Sequence, residues 1–64
     1  MGIASERALL HLGRAVAFLE QRMLRDALTE ANVAAHLDPD LRPAALVVAR
    51  MCVRRELDDL RAAA

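Results

Sequence analysis

Apolar side chains recur every three or four residues along most of the chain, in three successive segments. The first segment begins near Ser5, and its recurring apolar positions are Leu9, Leu12, Val16, Leu19 and Met23. Gaps of three and four place these residues on one face of an α-helix. Ser5 is the expected N-cap, and Glu6 lies in the first turn, where the helix dipole favours an anion. We therefore predict a helix over about residues 5–21.

The second segment is rich in alanine and ends at a proline. Its recurring positions are Leu24, Ala27, Leu28, Ala31, Ala34 and Ala35. Asp26 is a candidate for its start, and His36 lies in its last turn. Pro39 cannot continue a helix and disfavours the α conformation at Asp38. This pattern predicts a second helix over residues 24–37.

The third segment restarts after a short turn at Asp40 and Leu41. Pro43 is tolerated at the first position of a helix, where its missing N–H is no loss. The apolar positions that follow are Ala45, Val48, Ala49, Cys52, Val53, Leu57, Leu60 and Ala64. We predict one continuous helix over residues 43–62, packed through the Ala45–Cys52 part of this stripe. The turn is short, so the second and third helices should be antiparallel.

The boundary between the first two segments is open from the residues alone. "EQRM" lies between Leu19 and Leu24 and contains neither Gly nor Pro. Helical periodicity can carry one stripe from Leu19 through Met23 and Ala27. Both a single helix over residues 5–37 and two separate helices therefore fit the pattern.

Composition supports an all-α fold in one small domain. Ala and Leu supply 25 of the 64 residues, and the chain has one Phe, no Trp and no Tyr. Such segments favour helix over strand. A chain of this size buries little surface, so self-association or a partner chain is the expected source of extra stability. Nine Arg balance nine Asp and Glu, and a net charge of zero provides no bulk field to attract nucleic acid.

Catalytic and metal-binding patterns are not found. There is no Gly-rich phosphate loop, and the lone Cys52 excludes an intrachain disulfide. His11 and His36 are far apart in sequence, and no Cys or nearby His supports them as metal ligands. Asp58 and Asp59 are adjacent, so they point in different directions on a helix. We expect no enzymatic activity, no cofactor, no metal and no small-molecule substrate.

Membrane insertion and export are not expected either. The longest apolar run, Ala44 to Ala49, is far shorter than the ~18 residues of a membrane span. The first residues lack a charged region followed by an apolar core, so they do not form a secretory signal. We therefore expect a cytoplasmic protein.

The arrangement of small and apolar residues resembles a tetratricopeptide repeat, a helical hairpin of about 34 residues. Leu9, Leu12, Gly13 and Val16 match its first helix, and Ala27, Ala31, Ala34 and Pro39 match its second. "AHLDPD" is similar to the end of a repeat, and "PAALVVA" to the opening of the next. The spacing between Gly13 and Ala27 is two residues longer than in the pattern. The resemblance covers about one and a half repeats and favours two helices over residues 5–37.

The same resemblance gives Gly13 a role. Glycine inside a helix costs about 1 kcal/mol relative to alanine, and close approach of the second helix would offset that cost. The alternative is a tolerated interior glycine without a role.

In tetratricopeptide arrays the first helix of each repeat lines a groove that holds a peptide or helix. Carried over by position, this resemblance implies a partner-binding face edged by arginines. Its residues are Leu10, Arg14, Phe18, Leu46, Arg50, Val53 and Arg54. Arg14 and Arg50 stand where a carboxylate-clamp subclass has asparagine, so capture of a C-terminal carboxylate is not expected. The other interpretation of Arg14, Arg50 and Arg54 is that they are solvated surface charges.

Repeats of this kind need neighbours to bury a continuous core. Apolar residues also remain off the predicted stripes, namely Leu10, Phe18, Leu46, Val47 and Met51. We therefore predict a non-enzymatic protein–protein interaction module, an adaptor, small chaperone or assembly subunit, that forms a homodimer or a heteromeric complex. A purely structural dimerisation subunit is one alternative. A helical nucleic-acid binder that uses Arg50, Arg54 and Arg55 is another.

Overall fold

The computed structural model describes residues 3–63, with side chains described from Ser5 onward. It contains three α-helices, α1 (Ile3–Glu20), α2 (Leu24–Leu37) and α3 (Arg42–Ala63), and a single 3-10 turn at Pro39–Leu41. No strand occurs in this part of the chain. α1 and α2 pack as an antiparallel hairpin, and α3 packs mainly against α2. The all-α prediction is confirmed.

The chain breaks between α1 and α2 at a residue in a left-handed conformation. Arg22 has a φ of 62°. The Met23 N–H donates to the Phe18 carbonyl at 2.8 Å, and the Arg22 N–H donates to the Leu19 carbonyl at 3.0 Å. These two bonds form the Schellman motif, in which glycine usually occupies the position that Arg22 holds here. The prediction of two helices is confirmed, although no breaker residue marks the boundary.

The connection between α2 and α3 is organised by Asp38. One of its carboxylate oxygens accepts the backbone N–H of Asp40 at 3.0 Å, which caps the 3-10 turn. The other accepts the hydroxyl of Ser5 at 2.9 Å and ties α1 to the turn. Because α1 begins at Ile3, Ser5 lies inside the helix, and its prediction as the N-cap is wrong. The helix boundaries also differ by a residue or two, since α3 begins at Arg42 and Pro43 is its second residue.

Alanine dominates the buried core. α2 is the central helix and contacts both of its neighbours. The described residues that are buried are Ala8, Ala15, Leu19, Ala27, Ala31, Ala34, Ala45, Val48 and Cys52. The predicted contact surface of α3 is confirmed at Ala45, Val48 and Cys52, whereas Ala49 is only half-buried. Small side chains let the helix axes approach closely, so the helices gain packing contacts while burying little area per residue.

The buried face of α1 is not the predicted one. Leu9 is 55% exposed, and Val16 and Met23 are also exposed, whereas Ala8 and Ala15 are fully buried. The observed face is rotated by about one residue because alanine, and not the largest aliphatic side chain, fits the narrow space against α2. Only Leu19 of the predicted stripe is buried, and Leu12 is half-buried.

The second half of α3 extends along the end of α1 with few contacts. The guanidinium of Arg55 donates to the Leu19 carbonyl at 3.4 Å, and Arg22 pairs with Asp59 at 2.6 Å. The Arg22–Asp59 pair is exposed and contributes little stability. The helix continues without a break, as predicted, but its later apolar residues Val53, Leu57 and Leu60 are exposed.

Gly13 has no close neighbour. A Cβ built on its backbone meets nothing within 4 Å. The expectation that the second helix approaches closely at Gly13 is therefore wrong, and the alternative of a tolerated helical glycine holds.

Gly13→Ala should stabilise the protein by about 0.5–1 kcal/mol, because alanine restricts the unfolded chain and causes no clash here. Chemical denaturation followed by circular dichroism measures the change. Ala17→Gly, one turn later on the exposed surface, is the matched control and should lose a similar amount. A loss of stability in Gly13→Ala would contradict the open space at this position.

Ala31→Leu should destabilise the fold by about 1–3 kcal/mol or more, because Ala31 lies between the helices and a larger side chain would separate them. Ala44→Leu adds the same side chain at an exposed position of α3, and its denaturation midpoint should stay close to that of the wild type. Equal effects of the two substitutions would mean that α2 does not pack as described.

Candidate partner-binding site

A shallow apolar groove runs along the exposed side of α3. Its side chains recur at helical spacing, and about half of the surface of Leu46 (51%), Val53 (49%) and Leu57 (50%) is exposed. The residues that line this α3 groove are Leu46, Ala49, Arg50, Val53, Arg54 and Leu57. The groove exists because α3 turns Ala45, Val48 and Cys52 into the core. This orientation leaves the adjacent row of larger side chains facing outward.

A second groove lies between α2 and the start of α3. Asn32, Ala35, His36, Arg42, Ala45 and Leu46 line this α2–α3 groove. Leu46 belongs to both grooves, so they form one continuous surface. Its part between the helices has an alanine floor, because Ala35 and Ala45 are among the small residues that let α2 and α3 approach.

The charged side chains that line the two grooves are all arginines. Arg42, Arg50 and Arg54 contribute guanidinium groups, and neither lining contains a carboxylate. Among the described residues, Arg22 forms an ion pair with Asp59 and His11 contacts the carboxylate of Glu30, and both contacts lie outside the grooves. The chain has no net charge, and its acidic residues lie outside these two linings, with Glu56 and Asp58 exposed on α3 one turn beyond Val53 and Arg54. The groove linings themselves are therefore basic.

The predicted binding residues fall into two separate sets. Leu46, Arg50, Val53 and Arg54 lie together in the α3 groove. Leu10 and Arg14 are exposed on α1, and Phe18 is half-buried against the core cluster. None of these three α1 residues lines the α3 groove. The continuous face expected from the resemblance, shared by the first and third helices, is thus not formed by this groove.

Sequence reasoning missed several residues of the surface. The apolar periodicity of α3 places Leu57 in the core stripe, but Leu57 lies eleven residues after Leu46 and four after Val53, on the same exposed helix face. Arg42 and the α2 residues Asn32, Ala35 and His36 join the surface only through the packing of α2 against α3. No local pattern marks these four residues, because their proximity depends on the tertiary fold.

The histidines are engaged in separate local contacts. His11 Nδ1 lies 2.7 Å from a carboxylate oxygen of Glu30, which links α1 to α2. His36 Nδ1 is 3.0 Å from the carbonyl oxygen of Asn32, one turn earlier in α2. Within residues 3–63 no group of three or more His, Cys, Asp or Glu side chains is arranged to hold a metal ion.

Arg55 differs from Arg50 and Arg54, the two arginines that accompany it in the alternative prediction of a nucleic-acid-binding helix. It is half-buried and donates to the Leu19 carbonyl, whereas Arg50 and Arg54 are exposed. The three therefore do not form one free basic row. No helix of the described region combines the length and the apolar composition needed to cross a bilayer.

Cys52 lies in the core and not in the grooves. Its side chain is fully buried, and burial raises the pKa of its thiol, while the positive charge of Arg55 acts in the opposite direction. A raised pKa keeps the thiol protonated, which makes it a weak nucleophile and a packing residue.

Comparison of the chain with models of protein families, with curated proteins and with solved structures finds no match in any of the three. The structure itself defines the class of the described region, which is an all-α arrangement of three helices built on a helical hairpin.

Cys52 should make folding stability depend on alkaline pH. A thiol with a raised pKa in the folded state stabilises the fold fully below its unfolded pKa of about 8.5, and that stability is lost as pH rises through the folded value. The chain has no Lys and no Tyr, so few other groups titrate there. Urea denaturation from neutral to alkaline pH should show falling stability in the wild type.

Cys52→Ala is the control for this pH dependence. The variant should be less stable at neutral pH but should keep that stability nearly constant over the alkaline range. Equal alkaline losses in wild type and variant would show that the thiol is not the responsible group.

Proposed function

We propose that the protein is a non-enzymatic interaction module, an adaptor, small chaperone or assembly subunit, that binds another polypeptide through the α3 groove. The observation that supports this most directly is the row of half-exposed apolar side chains at Leu46, Val53 and Leu57. Single exposed apolar residues are ordinary, but a contiguous row along one helix is characteristic of an interaction surface.

The composition of the core supports the same proposal. Among the residues whose side chains are described, the largest fully buried one is Cys52, while ten large apolar residues are exposed. Burial of apolar surface contributes about 25 cal/mol per Å². This chain therefore leaves much of its potential hydrophobic stabilisation unused, and a partner that covers the row would recover part of it.

A finer proposal concerns the repeat. We propose that the hairpin corresponds to one tetratricopeptide-like repeat and that α3 opens a second. The break before α2, the buried alanines of α2 and the turn at Pro39 support this correspondence, whereas the open space at Gly13 does not. In such an arrangement, the second half of α3 would be covered by a further helix.

A structural dimerisation subunit is the second candidate. It is favoured by exposed apolar residues outside the α3 groove, namely Leu9, Leu10, Val47 and Met51. Light scattering distinguishes this role, because it requires a mass of two chains that Leu10→Glu or Val47→Glu reduces to one. Phe18→Glu is a poorer test, since Phe18 packs against the core.

Site-specific photocrosslinking tests the interaction module directly. A benzophenone side chain replaces Val53 in one variant, and Arg25, which is exposed on α2 outside both groove linings, in a control. Irradiation in cells should yield a discrete adduct from position 53 only, and Leu46→Asp should abolish it. The adduct's partner, identified by mass spectrometry and purified, should then bind the wild type more tightly than Leu46→Asp.

Two outcomes would contradict the proposal. Identical adducts from positions 53 and 25 would indicate nonspecific contact, and the lack of any adduct from position 53 would leave the groove without a partner. An adduct between two copies of this chain would favour the dimerisation subunit instead.

A further inference from the structure

We propose that the occupant of the α3 groove is a single amphipathic helix whose apolar stripe is flanked by Asp or Glu side chains. This inference rests on the proposed function and specifies its partner chemically. The helix lies along α3 and reaches the α2–α3 groove at Leu46.

The shape of the surface favours a helix over an extended segment. Ala35, Ala45 and Ala49 form a low floor beside the larger Leu46, Val53 and Leu57. This alternation creates holes at helical spacing that accept side chains spaced three and four residues apart. No strand occurs in the described region, so a peptide has no sheet edge there on which to form backbone hydrogen bonds.

The length of the groove defines the size of the occupant. Leu46 and Leu57 are eleven residues apart, and at ~1.5 Å per residue they span about 16 Å, or three helical turns. A partner helix of about 11–14 residues is long enough to cover this distance. It would present apolar residues to the groove at the levels of Leu46, Val53 and Leu57, which are two turns and then one turn apart.

The charges indicate what flanks that stripe. Arg50 and Arg54 are four residues apart, so they stand on the same edge of the groove in successive turns. Both are exposed and have no ion pair among the described residues. Arg42 adds a third positive charge near Leu46. Carboxylates one turn apart on a partner helix would match the two guanidinium groups and bind them through forked hydrogen bonds.

The same charges disfavour an antiparallel twofold pairing of two copies of the chain through the groove. In an antiparallel twofold pair, each edge of a helix faces the equivalent edge of its copy. Arg50 and Arg54 would then approach their own counterparts, which places four positive charges along one side of the interface. Like charges in contact oppose association, whereas an acidic helix removes this repulsion.

A charge-swap experiment tests the inference. Two fluorescent model peptides of about 18 residues carry the same leucine stripe, one flanked by Glu and the other by Lys. Fluorescence anisotropy measures the dissociation constant of each peptide for three proteins: wild type, Arg50→Glu/Arg54→Glu, and the control Arg7→Glu/Arg25→Glu. The control changes the same number of exposed charges outside both groove linings. Circular dichroism verifies that all three proteins are equally helical.

The wild type and the Arg7→Glu/Arg25→Glu control should bind the Glu peptide at least about tenfold more tightly than the Lys peptide, and added salt should reduce that preference. Arg50→Glu/Arg54→Glu should reverse the preference. Leu46→Asp should weaken both peptides, because it places a charge on the apolar stripe.

Several results would overturn the inference. These are equal affinities of the wild type for the two peptides, no binding of either peptide, or a preference for the Glu peptide that persists in Arg50→Glu/Arg54→Glu. If duplex DNA displaces the Glu peptide and binds the protein with a lower Kd than the peptide does, the arginines form a nucleic-acid-binding surface. A wild-type dimer that Leu46→Asp dissociates and the Glu peptide does not displace would identify a second copy as the occupant. A specific adduct from position 53 without any charge preference would refute the acidic helix while leaving the interaction module intact.

Discussion

Close packing of alanine along α2 is the constraint on which the rest of the structure depends. Ala27, Ala31 and Ala34 are buried on one side of this helix and bring α1 and α3 near to its axis. Such contacts gain dispersion energy at short distance, but each alanine removes little apolar surface from water. A leucine in this seam would separate the helices, so the larger side chains have to lie beside the seam. The alanine seam therefore produces both the fold and its exposed leucines, valines and methionines.

The polar contacts orient the helices that the seam brings together. Asp38 connects three segments, since it ends α2, caps the 3-10 turn and accepts the hydroxyl of Ser5. At the opposite end, Arg55 donates to the last turn of α1 through the Leu19 carbonyl. These contacts lie near opposite ends of α1. They hold α3 alongside the hairpin where α3 and α1 share few apolar contacts.

The helical content, the break at Pro39 and the alanine face of α2 could all be predicted from the sequence. Each of them follows from local propensity or from the geometry of proline. The buried face of α1 could not be predicted. The periodic pattern favours burial of the larger Leu9 and Val16, whereas close packing against α2 buries the small Ala8 and Ala15. The turn at Arg22 was equally hidden, since the left-handed position lacks the glycine that usually marks it. In the groove, the resemblance to a tetratricopeptide repeat pointed to four α3 residues by position, but Asn32 and His36 join them only through tertiary packing.

Stability and binding are linked in such a molecule. The exposed second half of α3 has few tertiary contacts, and short helices without such contacts are marginal in water. A partner that covers Leu46, Val53 and Leu57 would therefore order the same helical turns whose surface it buries. Because such a partner would bind only the folded state, it would also raise the free energy of unfolding. If the proposed function holds, the arginines on the edge of the groove would have a separate role, because electrostatic complementarity contributes more to the choice of partner than to affinity. In this interpretation the alanine seam exposes the apolar surface, and Arg50 and Arg54, which form no ion pair with the described residues, would select the helices that cover it.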